Sequence, residues 1–167
     1  SGLRTMSRIA LVTGGTRGIG LGVARALQKD GFEIAACGMR PTCEHKDFFY
    51  CQCDVSDKAA RQRMLDAIRQ RFGRLDVLVN NAGIVGRPGR FDRLESADLR
   101  RVFEVNTIGT FLCAREAVRR MSTVHGGKGG AIVNISSAAA TLGSPGEFVH
   151  YAASKGAVMT AMQTMAK

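Results

Sequence analysis

Several features that would place this protein outside a reducing compartment are missing from its sequence. No apolar run is long enough to span a membrane, and the first residues lack the apolar centre of a signal peptide. The five cysteines are an odd number, which without a secretory signal favours free thiols. We therefore expect a cytoplasmic protein that does not contact a membrane.

The sequence also lacks the spacing of a metal site. Cys51 and Cys53 are separated by one residue, whereas structural zinc sites usually place roughly two to four residues between paired cysteines. Both cysteines fall at alternate positions of a predicted strand and therefore point to one face of it. We expect no metal.

The net charge of +10 raises nucleic acid as a partner, but the basic residues form no single tract. On one predicted helix Arg61 and Arg69 alternate with Asp66, and on another Arg101 lies near Asp98. Scattered charges of both signs are typical of solvated helix faces. We therefore expect a small-molecule substrate and no nucleic acid, with an anionic substrate or cofactor as the next explanation of the charge.

Strand and helix patterns alternate along the whole chain. Runs that are apolar throughout predict strands at residues 8–13, 33–38, 48–53, 75–80 and 131–136. Helical spacing of apolar residues predicts helices at 17–30, 56–72, 96–121 and about 147–167, with Ser56 and Ser96 as N-caps of the second and third. This order predicts an α/β fold with a doubly wound parallel sheet, formed by residues 1–167 as a single domain.

A glycine-rich turn follows the first predicted strand. It reads Thr13-Gly14-Gly15-Thr16-Arg17-Gly18-Ile19-Gly20 and opens the first predicted helix. Glycines let the backbone turn sharply and approach a pyrophosphate, while the helix N-terminus supplies N–H groups and a partial positive charge. Between a strand and a helix, this turn favours dinucleotide binding over a merely tight turn.

Two later motifs carry side chains suited to proton transfer. Tyr151 and Lys155 stand at positions i and i+4 and share one helix face, although an ordinary amphipathic helix can carry such a pair. A lysine ammonium lowers the pKa of a neighbouring phenol, which can then exchange a proton with a carbonyl oxygen. Ser136 and Ser137 end the fifth predicted strand, where a hydroxyl can hydrogen-bond a substrate oxygen or simply form a polar strand end.

Asparagines mark two further positions. Asn80 and Asn81 close the fourth predicted strand at the same edge of the sheet, ahead of Ala82 and Gly83. Asn106 falls inside a predicted helix, where asparagine is unfavourable because its side chain competes for the backbone. We consider a functional role for Asn106, with a solvent-facing side chain as the alternative.

The second predicted strand ends without an acidic residue. In dinucleotide-binding folds such a residue hydrogen-bonds the adenosine ribose and repels a 2′-phosphate. Here the strand ends in Gly38 and Met39 before Arg40, and Arg17 in the glycine turn is a second cation that can hold a phosphate. We therefore expect NADP(H) to be favoured over NAD(H).

Taken in order, the segments TGGTRGIG, CDV, NNAG, EVN, ISS and YAASK resemble the short-chain dehydrogenase/reductase family over residues 8–167. The resemblance implies a Rossmann-like oxidoreductase that transfers a hydride between NADP(H) and a carbonyl or alcohol substrate. It makes Tyr151 the general acid/base, with Lys155 lowering its pKa and holding the nicotinamide ribose. Ser137 would orient the substrate oxygen, in preference to Ser136, and Asn106 would hold a water that relays protons to Lys155.

The resemblance also implies the cofactor contacts. Asp54 and Val55 would contact the adenine, and residues 81–83 would line the adenosine ribose and the middle of the cofactor. The full expected set is Gly14, Thr16, Arg17, Gly18, Ile19, Gly20, Arg40, Asp54, Val55, Asn81, Ala82, Gly83, Tyr151 and Lys155.

Members of this family usually continue beyond the helix that carries Tyr151, with further strands, a loop over the nicotinamide and a substrate-covering helix. We therefore keep a truncated, catalytically inactive nucleotide-binding fragment as the alternative to an active oxidoreductase. Substrate specificity is expected in residues 85–94 and 138–148. A homo-dimer or homo-tetramer is expected through the long helix and the Tyr151 helix.

Overall fold

The computed structural model describes residues 7–165, and five of its segments form one parallel sheet. The strands are β1 (Arg8–Thr13), β2 (Phe32–Gly38), β3 (Phe49–Gln52), β4 (Val77–Asn80) and β5 (Ala131–Asn134). Their order is β3-β2-β1-β4-β5, so the chain starts in the middle, builds one side of the sheet and then the other. This confirms the predicted α/β fold with a doubly wound parallel sheet.

Helices connect the strands and cover the sheet. They are α1 (Gly18–Lys29), α2 (Lys58–Phe72), α3 (Ser96–Phe103), α4 (Thr110–Met121), α5 (Ala139–Leu142) and α6 (Val149–Met165). α2 ends at Gly73, whose φ of 69° allows its N–H to reach the carbonyl of Arg69. Among residues 7–165, no helix combines the length and the apolar character that crossing a membrane requires.

Separate apolar clusters cover the two faces of the sheet. Alternation along β1 sends Ile9 and Leu11 into one cluster and Ala10 and Val12 into the other. The first cluster packs against α2 and α4, and the second packs against α1. Burial on both faces explains why the strands read as apolar runs. Each large aliphatic side chain buried there stabilises the fold by about 1.5–3 kcal/mol.

Both predicted helix caps are wrong. The carboxylate of Asp57, not the hydroxyl of Ser56, caps α2 by accepting a hydrogen bond from the N–H of Ala60 at 2.7 Å. The Ser56 hydroxyl instead donates to Asp54 Oδ1 at 2.7 Å, because that carboxylate is the stronger acceptor within its reach. Ser96 is the first residue of α3 rather than its cap, and no side chain in the described chain caps that helix.

The predicted helix at 96–121 is interrupted. Between α3 and α4, residues Glu104–Gly109 form a wider π-type turn, in which the backbone hydrogen bonds span five residues instead of four. Asn106 lies in this turn with its side chain fully buried. The solvent-facing alternative for Asn106 is therefore wrong, and the turn brings an amide into the interior next to α6.

Candidate functional site

Thr13 joins the carboxyl ends of β1 and β4, where the order of strands reverses. Its hydroxyl accepts hydrogen bonds from the N–H groups of Asn81 and Ala82, both at 3.0 Å, and donates to the carbonyl of Val79 at 3.4 Å. The Asn81 amide in turn donates to the carbonyls of Thr13 and Gly14, both at 3.1 Å. These contacts fix the walls of the crevice in which open α/β sheets bind ligands.

Glycine is required at several positions of the turn that follows. Gly14 and Gly18 adopt φ angles of 62° and 53°, which side chains disfavour. A Cβ on Gly20 would overlap the carbonyl of Gly14 and the amide of Asn81. A Cβ on Gly18 would meet no atom of the described chain within 4 Å, so this part of the turn faces open space.

The N-terminus of α1 has free backbone N–H groups that can bind an anion. The first backbone bond of the helix runs from the N–H of Leu21 to the carbonyl of Arg17, which leaves the N–H groups of Gly18, Ile19 and Gly20 without helical acceptors. Within residues 7–165 no side chain caps this end, and the first turn contains no acidic residue. The turn therefore fits the pyrophosphate of a dinucleotide.

A cavity of about 520 Å³ extends from the glycine turn along the ends of β2 and β3. The predicted cofactor residues that line it are Gly14, Thr16, Arg17, Arg40, Asp54, Val55, Ala82 and Gly83. Six predicted residues do not line it. Gly20 and Asn81 pack against the backbone of the turn, Gly18 and Ile19 are exposed at the start of α1, and Tyr151 and Lys155 lie on α6. The structure thus brings the predicted adenosine and ribose contacts together.

Arg101 of α3 holds the carboxylate of Asp54 at the wall of this cavity. Its guanidinium donates to Asp54 Oδ2 at 2.8 Å and to the Ser56 hydroxyl at 2.6 Å. Partial burial opposes the charge on Asp54, but hydrogen bonds from Ser56 and Arg101 outweigh it and hold the pKa of this carboxyl below its usual range. Asp54 is therefore ionised and fixed in place at neutral pH.

The far end of the cavity is lined by Arg17 and Arg40, both exposed and without an ion-pair partner among residues 7–165. Glu44 and His45 lie on the same wall. The two ring nitrogens of His45 approach the Thr16 carbonyl and an Arg25 nitrogen, each at 3.2 Å. Because arginine only donates, His45 must accept from Arg25 at Nδ1 and donate to Thr16 from Nε2. This histidine therefore ties the β2–β3 connection to the glycine turn.

Lys155 of α6 lies under the end of β5. Its ammonium donates to the carbonyl of Ile135 at 2.9 Å, and a Cβ added to Gly83 would lie 3.3 Å from Nζ. The residue is 5% exposed, and this burial lowers the pKa of its ammonium from the ordinary lysine value. Gly83 thus allows the β4 loop to approach the lysine closely.

Asn106 connects the same loop to α6. Its side-chain oxygen accepts from the N–H of Ile84, and its amide nitrogen donates to the carbonyl of Ile84, both at 2.8 Å. The nitrogen also donates to the Ser154 hydroxyl at 3.0 Å. Both donors and one acceptor position of this buried amide are used. These bonds fix the loop after β4 relative to the helix that carries Tyr151 and Lys155.

The two candidate serines are engaged differently. The Ser136 hydroxyl donates to the backbone carbonyl of Lys155 at 3.3 Å. The Ser137 hydroxyl accepts from the N–H of Ala139 at 3.2 Å and keeps its own proton available. Tyr151 is half-buried one helical turn before Lys155. Ser137, Tyr151 and Lys155 therefore lie on elements that meet at the β5 end of the crevice.

Several residues of the site escape the sequence patterns. Arg61 and Arg101, expected on solvated helix faces, instead donate to the carbonyl of Val55 at 2.6 Å and to Asp54 at 2.8 Å. His45 and His150 were not predicted to take part, yet both have defined partners. A polar residue on an otherwise apolar helix face is a usable signal for Arg61, but the partners of the others are too distant in sequence to be found by spacing.

The architecture is that of doubly wound α/β proteins that hold nucleotides at the carboxyl ends of their strands. Comparison with known families defines it more narrowly, because residues 8–167 match the family model described as short chain dehydrogenase. The chain belongs to this family, which confirms the resemblance seen in the sequence motifs. The family uses nicotinamide cofactors.

The relatives include one uncharacterized oxidoreductase and two dehydrogenases named for different substrates. The chain is 44% identical to the uncharacterized oxidoreductase YgfF of Escherichia coli, over 91% of this chain and 66% of that protein. It is 39% identical to a 3beta-hydroxysteroid dehydrogenase of Mediterraneibacter gnavus, over 90% and 56%. It is 36% identical to (+)-borneol dehydrogenase 2 of Salvia officinalis, over 94% and 58%. The chain thus spans between 56% and 66% of the length of these relatives.

Proposed function

We propose that the protein is an NADP(H)-dependent oxidoreductase that interconverts a carbonyl and an alcohol group. The observation that carries this proposal is the buried ammonium of Lys155, which lies beside Gly83 and one helical turn from Tyr151. Burying a cation costs free energy, and titratable groups that burial perturbs in a crevice are typical of catalytic sites. The names of two relatives, a hydroxysteroid dehydrogenase and a borneol dehydrogenase, are consistent with alcohol substrates.

In this proposal the free N–H groups at residues 18–20 hold the pyrophosphate. Asp54 and Val55 contact the adenine, with Arg101 keeping Asp54 in position. Asn81, Ala82 and Gly83 line the ribose and the middle of the cofactor, and Lys155 holds the nicotinamide ribose. The bound cofactor supplies the hydride donor or acceptor.

The preference for NADP(H) rests on the far end of the cavity. Arg17 and Arg40 offer guanidinium groups whose geometry suits a 2′-phosphate. No acidic residue follows directly at the end of β2, where Met39 and Arg40 stand. Glu44 lines the same wall but comes after the exposed Thr42 and partly buried Cys43. Two cations against this one carboxylate favour a ligand with an additional negative charge.

The proton is exchanged by Tyr151. In carbonyl reduction, the phenol gives its proton to the substrate oxygen while the carbonyl carbon accepts the hydride. In alcohol oxidation, the phenolate takes the hydroxyl proton as the hydride leaves the same carbon. The Lys155 ammonium stabilises the phenolate by its charge. Ser137 donates its free proton to the substrate oxygen and orients it, and Asn106 holds a water that returns protons through Lys155.

Turnover and binding assays test this function together. Reduced and oxidised cofactors are mixed with a panel of ketones and alcohols, and the nicotinamide absorbance is followed. We expect Tyr151→Phe to lower kcat by at least about a hundredfold, the usual contribution of a general acid/base. Its cofactor dissociation constant, measured by nicotinamide fluorescence, should stay within about twofold of the parent because the ring and Lys155 remain. Retained turnover in this variant would contradict the role of Tyr151.

We further propose that residues 1–167 act as one domain and that the protein works in the cytoplasm as a homo-oligomer. All five cysteines are free, as expected in a reducing compartment. Thermal unfolding followed by two probes tests the first point, since a single domain gives coincident transitions.

A further inference from the structure

A buried histidine immediately precedes the proposed catalytic tyrosine. His150 lies in the first turn of α6 and is 2% exposed. Its Nε2 is 2.8 Å from Oδ2 of Asp98, which belongs to α3. A polar ring buried to this extent is costly unless it is hydrogen-bonded, and the carboxylate satisfies it.

The same carboxylate oxygen also holds the loop after β4. The N–H of Arg87 donates to Asp98 Oδ2 at 2.8 Å. Since an ionised carboxylate only accepts, Nε2 of His150 carries the proton and donates. One oxygen atom therefore joins the loop backbone and the start of α6.

Gly86 shows how closely the loop packs against this pair. It adopts a φ of 83°, and a Cβ added there would overlap Nε2 of His150 and would lie 3.0 Å from Asp98 Oδ2. Two neighbouring contacts complete the attachment of the loop, because Ile84 is held by Asn106 and the N–H of Gly89 donates to the carbonyl of Glu147 at 2.9 Å. Residues 84–89 are thus anchored at three points to α3, to the π-type turn and to the chain entering α6.

We propose that His150 and Asp98 form a positioning pair that sets residues 85–89, on the substrate side of the crevice, against the first turn of the helix that carries Tyr151. This role rests on the proposed function. His150 and Asp98 are positioning residues, since neither is proposed to contact the substrate or the cofactor. Their effect on the reaction passes through the loop and through Tyr151.

The physical reason for such a pair lies in the loop itself. Residues 85–89 contain Gly86 and Gly89, which lose much conformational freedom on ordering. A loop that must be ordered by each substrate weakens binding, whereas a loop that is ordered beforehand does not. Loss of the pair should therefore raise KM for the substrate more than it lowers kcat, and should leave cofactor binding nearly unchanged.

Amide hydrogen exchange tests the pair without any need for turnover. We expect His150→Ala to speed exchange at Arg87 and Gly89 by about tenfold, the size of one hydrogen bond to a charged group. His150→Gln should restore most of the protection, because its amide can donate to Asp98. Asp98→Asn, in which one carbonyl oxygen replaces two carboxylate oxygens, should lie between them and provides a second route if His150→Ala does not fold.

Kinetics then test the consequence. With a substrate found in the turnover panel, His150→Ala should raise KM about tenfold with a smaller change in kcat, and His150→Gln should reverse most of this. Exposed His125→Ala and the core substitution Ile68→Val serve as controls for loss of a histidine and for general loss of stability.

Unchanged exchange at Arg87 in His150→Ala, or identical KM in the Ala and Gln variants, overturns the proposal. Absence of turnover in the parent protein contradicts the proposed function instead, while the exchange experiment still decides whether the pair exists.

Discussion

At the scale of single residues, the arginines around the cofactor cavity divide into those that are held and those that are free. Arg101 is fixed by Asp54 and Ser56, and Arg61 is buried against the carbonyl of Val55. Arg17 and Arg40 point into solvent at the cavity end and have no carboxylate partner within residues 7–165. Guanidinium groups of the first kind shape the protein, whereas those of the second kind remain available to a ligand.

The free pair should decide between the two cofactors. We expect Arg40→Met and Arg17→Met each to weaken NADP(H) binding by about tenfold, the loss of one hydrogen bond to a charged group. The NAD(H) dissociation constant should change by less than about twofold, because NAD(H) has no 2′-phosphate for these arginines to bind. Titration of nicotinamide fluorescence measures both, with Lys29→Met at the far end of α1 as the control. Equal losses for the two cofactors, or tighter NAD(H) binding by the parent, would count against the NADP(H) preference.

The ion pair of Arg101 with Asp54 should make the free energy of unfolding depend on pH. The pKa of Asp54 is lower in the folded chain than in the unfolded chain, so its ion pair stabilises the fold above the ordinary value of about 3.9 and is lost as the pH falls through the folded value. Arg101→Met should therefore lower the free energy of unfolding by about 0.5 kcal/mol at neutral pH. The difference from the parent should vanish in acid.

Urea unfolding at several pH values checks this expectation. Arg100→Met, which removes an exposed arginine from the neighbouring position of α3, is the matched control. A deficit that is constant across the pH range would mean that Arg101 acts through packing and not through the charge of Asp54.

At the scale of elements, the sequence was sufficient for the order of strands and helices because hydrophobic periodicity is local. The sequence was less informative where a tertiary contact determines the local structure. Ser56, the predicted cap of α2, donates to Asp54, whereas the neighbouring Asp57, which was not predicted, caps the helix. The π-type turn at Glu104–Gly109 is stabilised by contacts of Asn106 with Ile84 and Ser154, which are 22 and 48 residues away in sequence. The same holds for the candidate site. The ordered motifs predicted Tyr151 and Lys155 as site residues, but the contact of His150 with Asp98, which lies 52 residues away in sequence, had no local pattern.

The π-type turn should therefore depend on one side chain. In Asn106→Ala the N–H and the carbonyl of Ile84 both lose a partner, and we expect the free energy of unfolding to fall by about 2 kcal/mol. Urea denaturation measures this, with exposed Glu104→Ala in the same turn as the control. A change below about 0.5 kcal/mol would indicate that water replaces the amide and that the turn does not need it.

At the scale of the whole molecule, apolar side chains remain exposed along the outer face of the π-type turn and α4. Ile108, Phe111 and Val118 are 48%, 42% and 42% exposed, and their spacing places them on one side of the helix. Exposed apolar side chains gathered on one face of a helix suit an interface with another protein. Because most homo-oligomers are built on two-fold axes, a second copy of the same face is the expected partner.

Introducing a charge at the centre of this face tests the proposed oligomer. In a two-fold interface each substitution occurs twice, so Phe111→Glu would bury two carboxylates near each other and remove two aromatic contacts. We expect the parent protein to behave as a dimer or tetramer in light scattering and Phe111→Glu to behave as a monomer.

Cofactor binding should stay within about twofold, because Phe111 lies on the outer face of α4 and does not line the cofactor cavity. Val124→Glu, at a residue that is 86% exposed beyond the end of α4, should leave the mass unchanged. An unchanged mass for Phe111→Glu would exclude this face as the interface, whereas a monomeric parent would exclude the oligomer itself.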